Sequence, residues 1–548
     1  MRSPSGADAR RARSPRRIAV VGLLLAVLAG LAPAPGVLAA SIADTLVSLE
    51  VGPRVLTPDG DGQGDELSVR IVLARPATVA ATVVDYAGGV VEPLLPSGPR
   101  EAGEVALAWN GRRSANGALV PNAGYRLRID LVNELGIYRV EEPFVKASGP
   151  IYPANPAAIV VALDPGHGGR DPGASAAGVV EKHITLDVAR RLRAMLEGAG
   201  VSVVMTRSGD TRVNAQARDL DGDRRIGYRD ELASRIEVAN GAAADLLLSI
   251  HVNASDGRSA RGVETWYTRD RTFGSANRQL ATAVQTALVS GLGAHRSRAW
   301  KPLDRGTRRI QFYLTGAYER RTLPRPSLMP GVLSEMLFVT NPGDRAVLRS
   351  PARRQRVAEA YYDAIGAYIN ARAQGARYAL VGLPPASMAE GSAGSMQVEV
   401  TNTGRTTWAA ESAILIASWL PRVPFYDGSG APGTTMGSVR LPELAPGASA
   451  VVDLAFVAPP YAPLASRSGR ALLKLDLVAG GPRLSRAGVV PLQVPLTVTA
   501  APAPGPTPSP NPTPVPTVDP GAPSPPAEPT PTTEPSLPPA EPTPTIVP

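Results

Sequence analysis

The sequence predicts a multidomain protein: an α/β domain with a mostly parallel sheet and helices on both faces, flanked by two all-β sandwiches and a disordered tail. Three patterns indicate this arrangement. Apolar strand-like runs alternate with long helical patterns in residues 158–372, while short alternating runs separated by Gly, Pro and Asp occupy the segments on either side. The last 48 residues contain 20 Pro. A chain of 548 residues is also too long for a single hydrophobic core.

The first 40 residues have the order of a secretory signal. A stretch with six Arg precedes an apolar run from Ile18 to Ala32, and small residues follow Pro33. We therefore predict that residues 1–40 are a signal peptide and that the protein is exported to the extracellular space, the cell wall or the periplasm. The run is short for a membrane span, but an uncleaved anchor, which would give membrane contact, is the alternative.

The net charge and the absence of cysteine exclude several functions. The signal segment accounts for five of the nine formal positive charges, so the mature chain is too weakly basic to predict a nucleic-acid partner. The chain has no Cys. It therefore has no disulfides, no thiolate metal ligands and no cysteine nucleophile.

Residues 41–150 are predicted to form the first β-sandwich. Their loop Thr57-Pro-Asp-Gly-Asp-Gly-Gln-Gly-Asp65 resembles loops of the FlgD-like immunoglobulin-like domains of bacterial surface proteins. Asp59, Asp61 and Asp65 are candidate Ca²⁺ ligands, because hard cations bind carboxylate oxygens from one tight loop. The alternative, which we favour, is a turn whose Asp and Gly satisfy backbone geometry, since no Glu closes the loop at EF-hand spacing.

The α/β domain, residues 158–372, contains three apolar strands that end in polar residues suited to metal chemistry. They lead to His167 in a Gly-rich loop, to His251 and to Glu335. In an open parallel sheet, side chains at the carboxyl ends of strands converge, so these three should meet there. Glu181 begins the next helix, near Lys182–Gly198, and can approach the same site.

Two His and one carboxylate suit a catalytic Zn²⁺ that keeps one position for water. Zinc lowers the pKa of water to about 7 and so supplies hydroxide at neutral pH. Glu335 can then accept the proton during attack on an amide and return it to the leaving amine. Glu181 could instead be a first-turn acid favoured by the helix dipole, and His183 is a rival ligand two residues on.

The ordered motifs of residues 158–372 resemble the zinc-dependent N-acetylmuramoyl-L-alanine amidases of the Amidase_3 type. The motifs are Asp164-Pro-Gly-His167-Gly-Gly, Glu181-Lys182, Ser249-Ile-His251-Val-Asn253-Ala and Glu335-Met-Leu-Phe338-Val-Thr-Asn341. The resemblance implies hydrolysis of the bond between glycan strand and stem peptide in peptidoglycan. It also implies one Zn²⁺ held by His167, Glu181 and His251, with Glu335 as general acid and base. Asn253, Lys182 and Arg235 are expected to contact substrate or to support the ligands.

The sequence departs from this family in two places. The stretch Arg207–Glu231 is longer than the family pattern and is either a lid or a surface insertion. Met336-Leu337 follows the catalytic Glu where a small residue is expected. Two other functions stay open: a zinc peptidase that cuts stem peptides, and a non-catalytic envelope-binding protein that retains the fold.

Residues 378–500 are predicted to form a second immunoglobulin-like sandwich, similar to the NBR1 type. The resemblance is carried by Val398-Glu-Val-Thr-Asn-Thr-Gly-Arg-Thr-Thr-Trp408 and Leu444-Ala-Pro-Gly-Ala-Ser449. Residues 501–548 are a Pro/Thr-rich segment that cannot build a core. Besides peptidoglycan, other envelope proteins or polymers are candidate partners of the two sandwich domains.

Overall fold

The computed structural model describes residues 41–148, 159–271, 273–293, 300–312, 314, 327–372, 374–420, 435–461 and 469–501. All of them belong to one compact unit. The predicted signal peptide, His295 and the tail beyond Ala501 lie outside the described residues. Within the described residues, the helices are too short or too polar to cross a bilayer.

The amino-terminal β module, residues 41–148, consists of two sheets that share one core. One sheet has the order β1-β3-β6 and the other β2-β8-β7-β4-β5; only β2 and β8 pair in parallel. In β3, inward and outward side chains alternate, as the sequence pattern predicts. After a 3₁₀ turn at Ile42–Asp44, the strands are β1 (Leu46–Gly52), β2 (Val55–Leu56), β3 (Leu67–Leu73), β4 (Ala77–Asp85), β5 (Val90–Arg100), β6 (Gly103–Trp109), β7 (Ala123–Asn133) and β8 (Gly136–Lys146).

The α/β module, residues 159–372, is built on a sheet of order β12-β9-β13-β16-β14-β15. Neighbours pair in parallel except β14 and β16. The elements are β9 (Val160–Pro165), β10 (Ser175–Ala176), β11 (Val179–Val180), α1 (Glu181–Gly198), β12 (Ser202–Met205), α2 (Tyr228–Gly241), β13 (Leu246–Asn253), β14 (Val263–Tyr267), α3 (Gly274–Gly293), β15 (Asp304–Arg309), β16 (Gly331–Phe338), α4 (Pro342–Arg349) and α5 (Pro351–Ala371).

Both faces of this sheet are buried, because alternate strand residues pack against different helices. Val161 and Leu163 of β9 lie in the large core with α1, α3 and α5. Ala162 between them lies in a smaller core with Ala239 of α2. Because these strands are covered on both faces, their sequences are nearly continuous apolar runs. The arrangement agrees with the predicted α/β class.

Helices α1 and α4 follow their sequence patterns. Helix α1 carries an apolar repeat of 3.6 residues that is buried in the large core, and its members are Ile184, Val188, Leu192 and Met195. Helix α4 begins at Pro342, and the Asn341 side chain accepts hydrogen bonds from the backbone N–H groups of Gly343 and Asp344. A capping residue followed by Pro is a typical helix start.

The carboxyl-terminal β module, residues 374–501, also has two sheets around one core. Their orders are β17-β19-β22 and β18-β24-β23-β20-β21. Trp408 is buried in this core. The strands are β17 (Ala376–Val381), β18 (Ser387–Ala389), β19 (Ala393–Asn402), β20 (Ala413–Leu420), β21 (Thr435–Arg440), β22 (Ser449–Val457), β23 (Arg470–Ala479) and β24 (Leu492–Thr499), with a 3₁₀ turn at Leu484–Ala487.

The amino-terminal β module packs on helix α1. Tyr86 donates its hydroxyl to Asp187 Oδ1 at 2.8 Å, and the Arg191 guanidinium lies 5.0 Å from the centre of the Tyr86 ring. Val145, at the end of β8, is fully buried within the core of the α/β module. The two modules therefore share apolar packing as well as hydrogen bonds.

The carboxyl-terminal β module contacts the α/β module at the edge of the sheet where the parallel strands begin, opposite their carboxyl ends. Arg377 donates to Asp245 Oδ2 at 2.9 Å, and Asp245 also accepts from the backbone N–H of Val160 at the start of β9. Gly488 packs against Pro330, the residue before β16. Both flanking modules thus contact surfaces other than the carboxyl ends of the parallel strands.

Replacing Gly124 with Ala is expected to loosen the contact between β7 and α1. A Cβ there would meet the backbone of Ala194 and lie 2.6 Å from Met195 N. Such overpacking costs about 1–3 kcal/mol, so the melting temperature should fall. Gly241→Ala is the matched control, because a Cβ at Gly241 meets no atom within 4 Å. Equal melting temperatures for the two variants would contradict the close packing.

Candidate metal centre

The loop after β9 carries His167 into the centre of the site. His167 has φ 61°, the left-handed region that non-glycine residues seldom adopt. Gly166 and Gly173 lie beside the site, where a larger residue would collide with its side chains. A Cβ on Gly166 would lie 2.5 Å from His251 Nε2, and a Cβ on Gly173 would lie 2.6 Å from both Glu181 Oε2 and His167 Cδ2. Glycine at these two positions lets the three polar side chains come together.

Glu181 lies between the two histidines. Its Oε1 is 3.2 Å from His167 Nε2 and 3.0 Å from His251 Nδ1, and the imidazole centres are 4.9 Å apart. Backbone N–H groups of Ala174 and Val252 donate to the same carboxylate. Burial alone would raise the pKa of Glu181, but the hydrogen bonds from both histidines hold it well below its ordinary value.

Ligand atoms of His167, Glu181 and His251 all lie within 4.8 Å of one another. The structure therefore brings together the residues that the sequence predicts as metal ligands. Two imidazoles and one carboxylate are the donor set of catalytic zinc sites, and the group can bind a metal ion.

Asp171 orients His167 and was not singled out by the sequence analysis. Its Oδ2 lies 2.8 Å from His167 Nδ1, which leaves Nε2 directed at Glu181. Burial would lower the pKa of His167, but the carboxylates of Glu181 and Asp171 raise it above the ordinary value. A carboxylate on the outer nitrogen of a ligating histidine fixes its tautomer and ring orientation. The position of Asp171, four residues after His167 in the same loop, was the available signal.

A buried ion pair supports the His167 loop from below. Asp164, fully buried on β9, accepts hydrogen bonds from Thr206 and Ser249 hydroxyls at 2.7 Å and from Arg235 Nη1 at 2.8 Å. Burial would raise the pKa of Asp164, but the Arg235 cation and these hydroxyls hold it below the ordinary value. Arg235 also donates to the carbonyl oxygen of His167 at 2.7 Å. These contacts give Arg235 the role of holding the loop.

Glu335 lies beside His251 in the register of β13 and β16. Its Oε2 is shielded from solvent and has no hydrogen-bond partner among the described residues. Burial raises the pKa of Glu335 to about 7, the charges of Glu181 and Glu264 contribute in the same direction, and His251 opposes them. A carboxyl group with a pKa near neutrality can both accept and donate a proton.

Glu264 is a second buried carboxylate at this edge of the sheet. It pairs directly with Glu335 across β14 and β16. Arg305 Nε donates to it at 2.8 Å and Asn253 Nδ2 at 2.7 Å. Asn253 is therefore engaged with protein groups at the site. A single Glu within a strand pattern carries no signal of its partners, so Glu264 was not predicted as a site residue.

Lys182 and His183 point away from the ligand group. Lys182 Nζ donates to the Gly169 carbonyl at 2.7 Å and pairs with Asp210 at 2.8 Å, so it ties the His167 loop to the next segment. His183 is largely exposed, and its Nε2 lies 3.7 Å from Asp210. His183 is therefore not a member of the metal-binding group.

The long segment between β12 and α2 is held by the first turn of α2. Glu231 accepts from the backbone N–H groups of Val213 and Asn214, and Asp230 accepts from those of Leu220 and Asp221. The segment thus folds back on the helix whose Arg235 supports His167. Both the lid and the surface-insertion readings remain predictions.

The candidate calcium loop is shaped by its own hydrogen bonds. Ligand atoms of Asp59, Asp61 and Asp65 lie within 4.8 Å of one another. Asp65, however, accepts from the backbone N–H groups of Gly60 and Gly62 at 2.7 Å, and these bonds lower its pKa. The arrangement has the features of the favoured turn interpretation, and calcium binding remains a prediction.

Comparison with known proteins assigns the α/β module to a family. Residues 161–367 match the Amidase_3 family, described as N-acetylmuramoyl-L-alanine amidase. The germination-specific N-acetylmuramoyl-L-alanine amidase of Bacillus subtilis (strain 168) is 31% identical over 215 residues, which cover 38% of this chain and 79% of that protein. The chain belongs to the N-acetylmuramoyl-L-alanine amidase family. The match to N-acetylmuramoyl-L-alanine amidase AmiA of Escherichia coli (strain K12) is 30% identical over 246 residues and covers 38% of this chain and 76% of the relative.

The resemblance to this amidase family is confined to one part of the chain. N-acetylmuramoyl-L-alanine amidase LytC of Bacillus subtilis (strain 168) is 34% identical over 207 residues, which are 38% of this chain and only 34% of LytC. The chain thus spans about a third of that relative. Met336 and Leu337, which depart from the expected amidase pattern, are fully buried in the large core of the α/β module.

Gly173→Ala is expected to weaken metal binding at least about tenfold, the effect typical of changes to groups that orient metal ligands. The added Cβ would displace His167 or Glu181. Gly178→Ala is the matched control: both glycines have positive φ, 65° and 80°, but a Cβ at Gly178 meets no atom within 4 Å. Zinc titration against a competing chelator measures both affinities. Equal losses would show that backbone strain, rather than displacement of the ligands, is responsible.

Proposed function

We propose that this protein is an exported, zinc-dependent N-acetylmuramoyl-L-alanine amidase that hydrolyses the amide between N-acetylmuramic acid and L-alanine in peptidoglycan. The observation that carries the proposal is the convergence of His167, Glu181 and His251 beside the shielded carboxyl group of Glu335. Membership in the amidase family supports the choice of substrate.

Zinc is the metal that this donor set fits best, because His₂Glu sites with an open position are typical of zinc hydrolases. Bound there, it would supply a Lewis acid that activates water and polarises an amide carbonyl. His167, Glu181 and His251 would hold it, and Asp171 would keep His167 in the ligating tautomer.

Glu335 performs the proton transfers in this proposal. Its carboxylate accepts a proton from water as the water oxygen attacks the amide carbon, and it returns the proton to the nitrogen as the carbon–nitrogen bond breaks. A pKa near 7 makes both transfers favourable at neutral pH. The shielded Oε2 has no other hydrogen-bond partner in the described residues, so it is available for this exchange.

The same group of residues could serve a zinc peptidase that cuts stem peptides, since the chemistry of both bonds is the same. The family relatives favour the amidase. A non-catalytic envelope-binding protein would need neither Glu335 nor the support of Asp171, and both are in place.

The flanking regions complete the proposed organisation. Residues 41–150 and 378–500 would be FlgD-like and NBR1-type immunoglobulin-like domains that hold the catalytic domain in the envelope. Their paired sheets around single cores support this assignment. Residues 1–40 would direct export, and residues 501–548 would be an extended tail.

Digestion of peptidoglycan tests the proposed function. The full chain, purified with zinc, is expected to release stem peptides that begin with L-alanine, identified by mass spectrometry. A chelator should abolish the release, and added zinc should restore it. Cuts within the stem peptide would establish the peptidase instead, and intact peptidoglycan would contradict both hydrolytic functions.

Glu335→Gln is expected to retain zinc and lose turnover by about 100- to 10,000-fold, the contribution typical of general acid–base catalysis. Glu359→Gln is the matched control. Burial also raises the pKa of Glu359 to about 7, but Glu359 lies on α5 and pairs with Arg356. Turnover of soluble muropeptides and zinc content are measured for both. Normal turnover of Glu335→Gln would remove Glu335 from the mechanism.

A further inference from the structure

An open groove with an unusual concentration of arginine lies beside the start of α3. Its volume is about 1010 Å³, and it is bordered by the end of β14, the end of β15 and the first turns of α3. Four Arg line it, and none of its lining residues in the described part of the chain is acidic. They are Arg269, Arg271, Arg278 and Arg309.

Three of these arginines project into solvent without a carboxylate partner. Arg269, Arg278 and Arg309 are exposed, and none forms an ion pair with a described residue. The acidic neighbour in sequence, Asp270, accepts a hydrogen bond from Gln311 and does not line the groove. Like charges around one groove raise the local positive potential and attract anions.

Several other arginines of the same module are neutralised by a carboxylate. Arg191, Arg235 and Arg305 each form a close ion pair with a carboxylate. The groove is therefore a local excess of positive charge on a nearly neutral mature chain. Its cationic character does not follow from the overall composition.

Arg271, the buried arginine of the groove, is held in place by the surrounding protein. The Arg271 guanidinium lies 4.6 Å from the centre of the Phe273 ring, and Arg271 donates to the carbonyl oxygen of Ser327. Both terminal nitrogens of this guanidinium are engaged with Ser327, so Arg271 contributes a fixed positive charge rather than hydrogen bonds to a ligand. Arg269, Arg278 and Arg309 add exposed positive charges to the same groove.

We propose that this groove binds a polyanion that carries a phosphate on each repeat. The four arginines come from the loop after β14, the first turns of α3 and the end of β15, so several linked anionic groups can contact them at once. Guanidinium groups bind phosphate and carboxylate oxygens in pairs. Polar side chains between the arginines, such as Ser275 and Gln279, can donate to the oxygens or hydroxyls of the repeats.

The groove is distinct from the metal centre. Glu264, beside Glu335, is at the start of β14, whereas Tyr267, which lines the groove, ends the same strand. Three residues of strand span about 10 Å. A bound polymer can therefore tether the protein without entering the hydrolytic site.

Binding to sodium polyphosphate tests this proposal with the full chain, and it requires no turnover. The variant Arg269→Gln/Arg278→Gln/Arg309→Gln is expected to bind at least about tenfold more weakly. The plot of log affinity against log salt concentration should become shallower by about 2. Each lost arginine contact contributes roughly 0.7 to this slope for a flexible polyanion. Arg224→Gln/Arg225→Gln/Arg486→Gln removes the same charge elsewhere and is expected to change affinity less than about twofold.

Four outcomes would overturn the proposal. Unchanged binding of the groove variant would exclude the groove, and an equal loss in the control variant would indicate diffuse electrostatic attraction. Displacement of polyphosphate by orthophosphate at the same phosphate concentration would indicate a site for a single ion. If the groove variant keeps its affinity for polyphosphate but binds phosphate-free peptidoglycan more weakly, the groove binds carboxylates instead. Melting temperatures establish that the variants fold, and peptidoglycan digestion separately decides the amidase proposal.

Discussion

The buried ion pair between Asp164 and Arg235 is the interaction on which the metal centre depends. Burying the two charges costs roughly several kcal/mol of solvation free energy. The pair is tolerated because the two side chains hydrogen-bond to each other and to neighbouring groups. Asp164 binds Thr206 and Ser249 on the neighbouring chain segments, and Arg235 reaches on to the carbonyl of His167. One carboxylate thus joins three segments of the sheet edge to α2. This network helps to hold the left-handed backbone of His167, whose carbonyl oxygen accepts from Arg235.

The rigidity of α1 extends the same constraint to the flanking β module. Glu181 is the first residue of α1, and its backbone N–H bonds to the Ala174 carbonyl. One and a half turns later, Asp187 accepts from Tyr86 of the amino-terminal β module and from Arg354 of α5. A displacement of that module would move the helix that carries Glu181, a proposed metal ligand. The module is thereby part of the scaffold of the site, although it lies away from the carboxyl ends of the strands.

The sequence predicted the features that are expressed locally. Strand-end motifs placed His251 and Glu335 at one edge, and a 3.6-residue repeat gave the buried face of α1. Helix α2 escaped detection because it buries charged residues: Arg235 and Glu231 point inwards, which removes the apolar stripe that marks a helix. Asp171 was missed for a related reason, since its importance lies in a contact through space with His167.

The position of the arginine groove has a consequence for how such a protein works on a solid polymer. In the proposed arrangement, binding and hydrolysis would occur at the two ends of β14, so a ligand held by Arg309 would not compete with one at Glu264. A tether of this kind raises the effective concentration of the substrate at the catalytic edge without changing any contact there. Because the attraction is electrostatic, its strength depends on ionic strength, whereas the buried metal centre is largely protected from salt. Attachment and turnover can therefore respond separately to the surroundings of the protein.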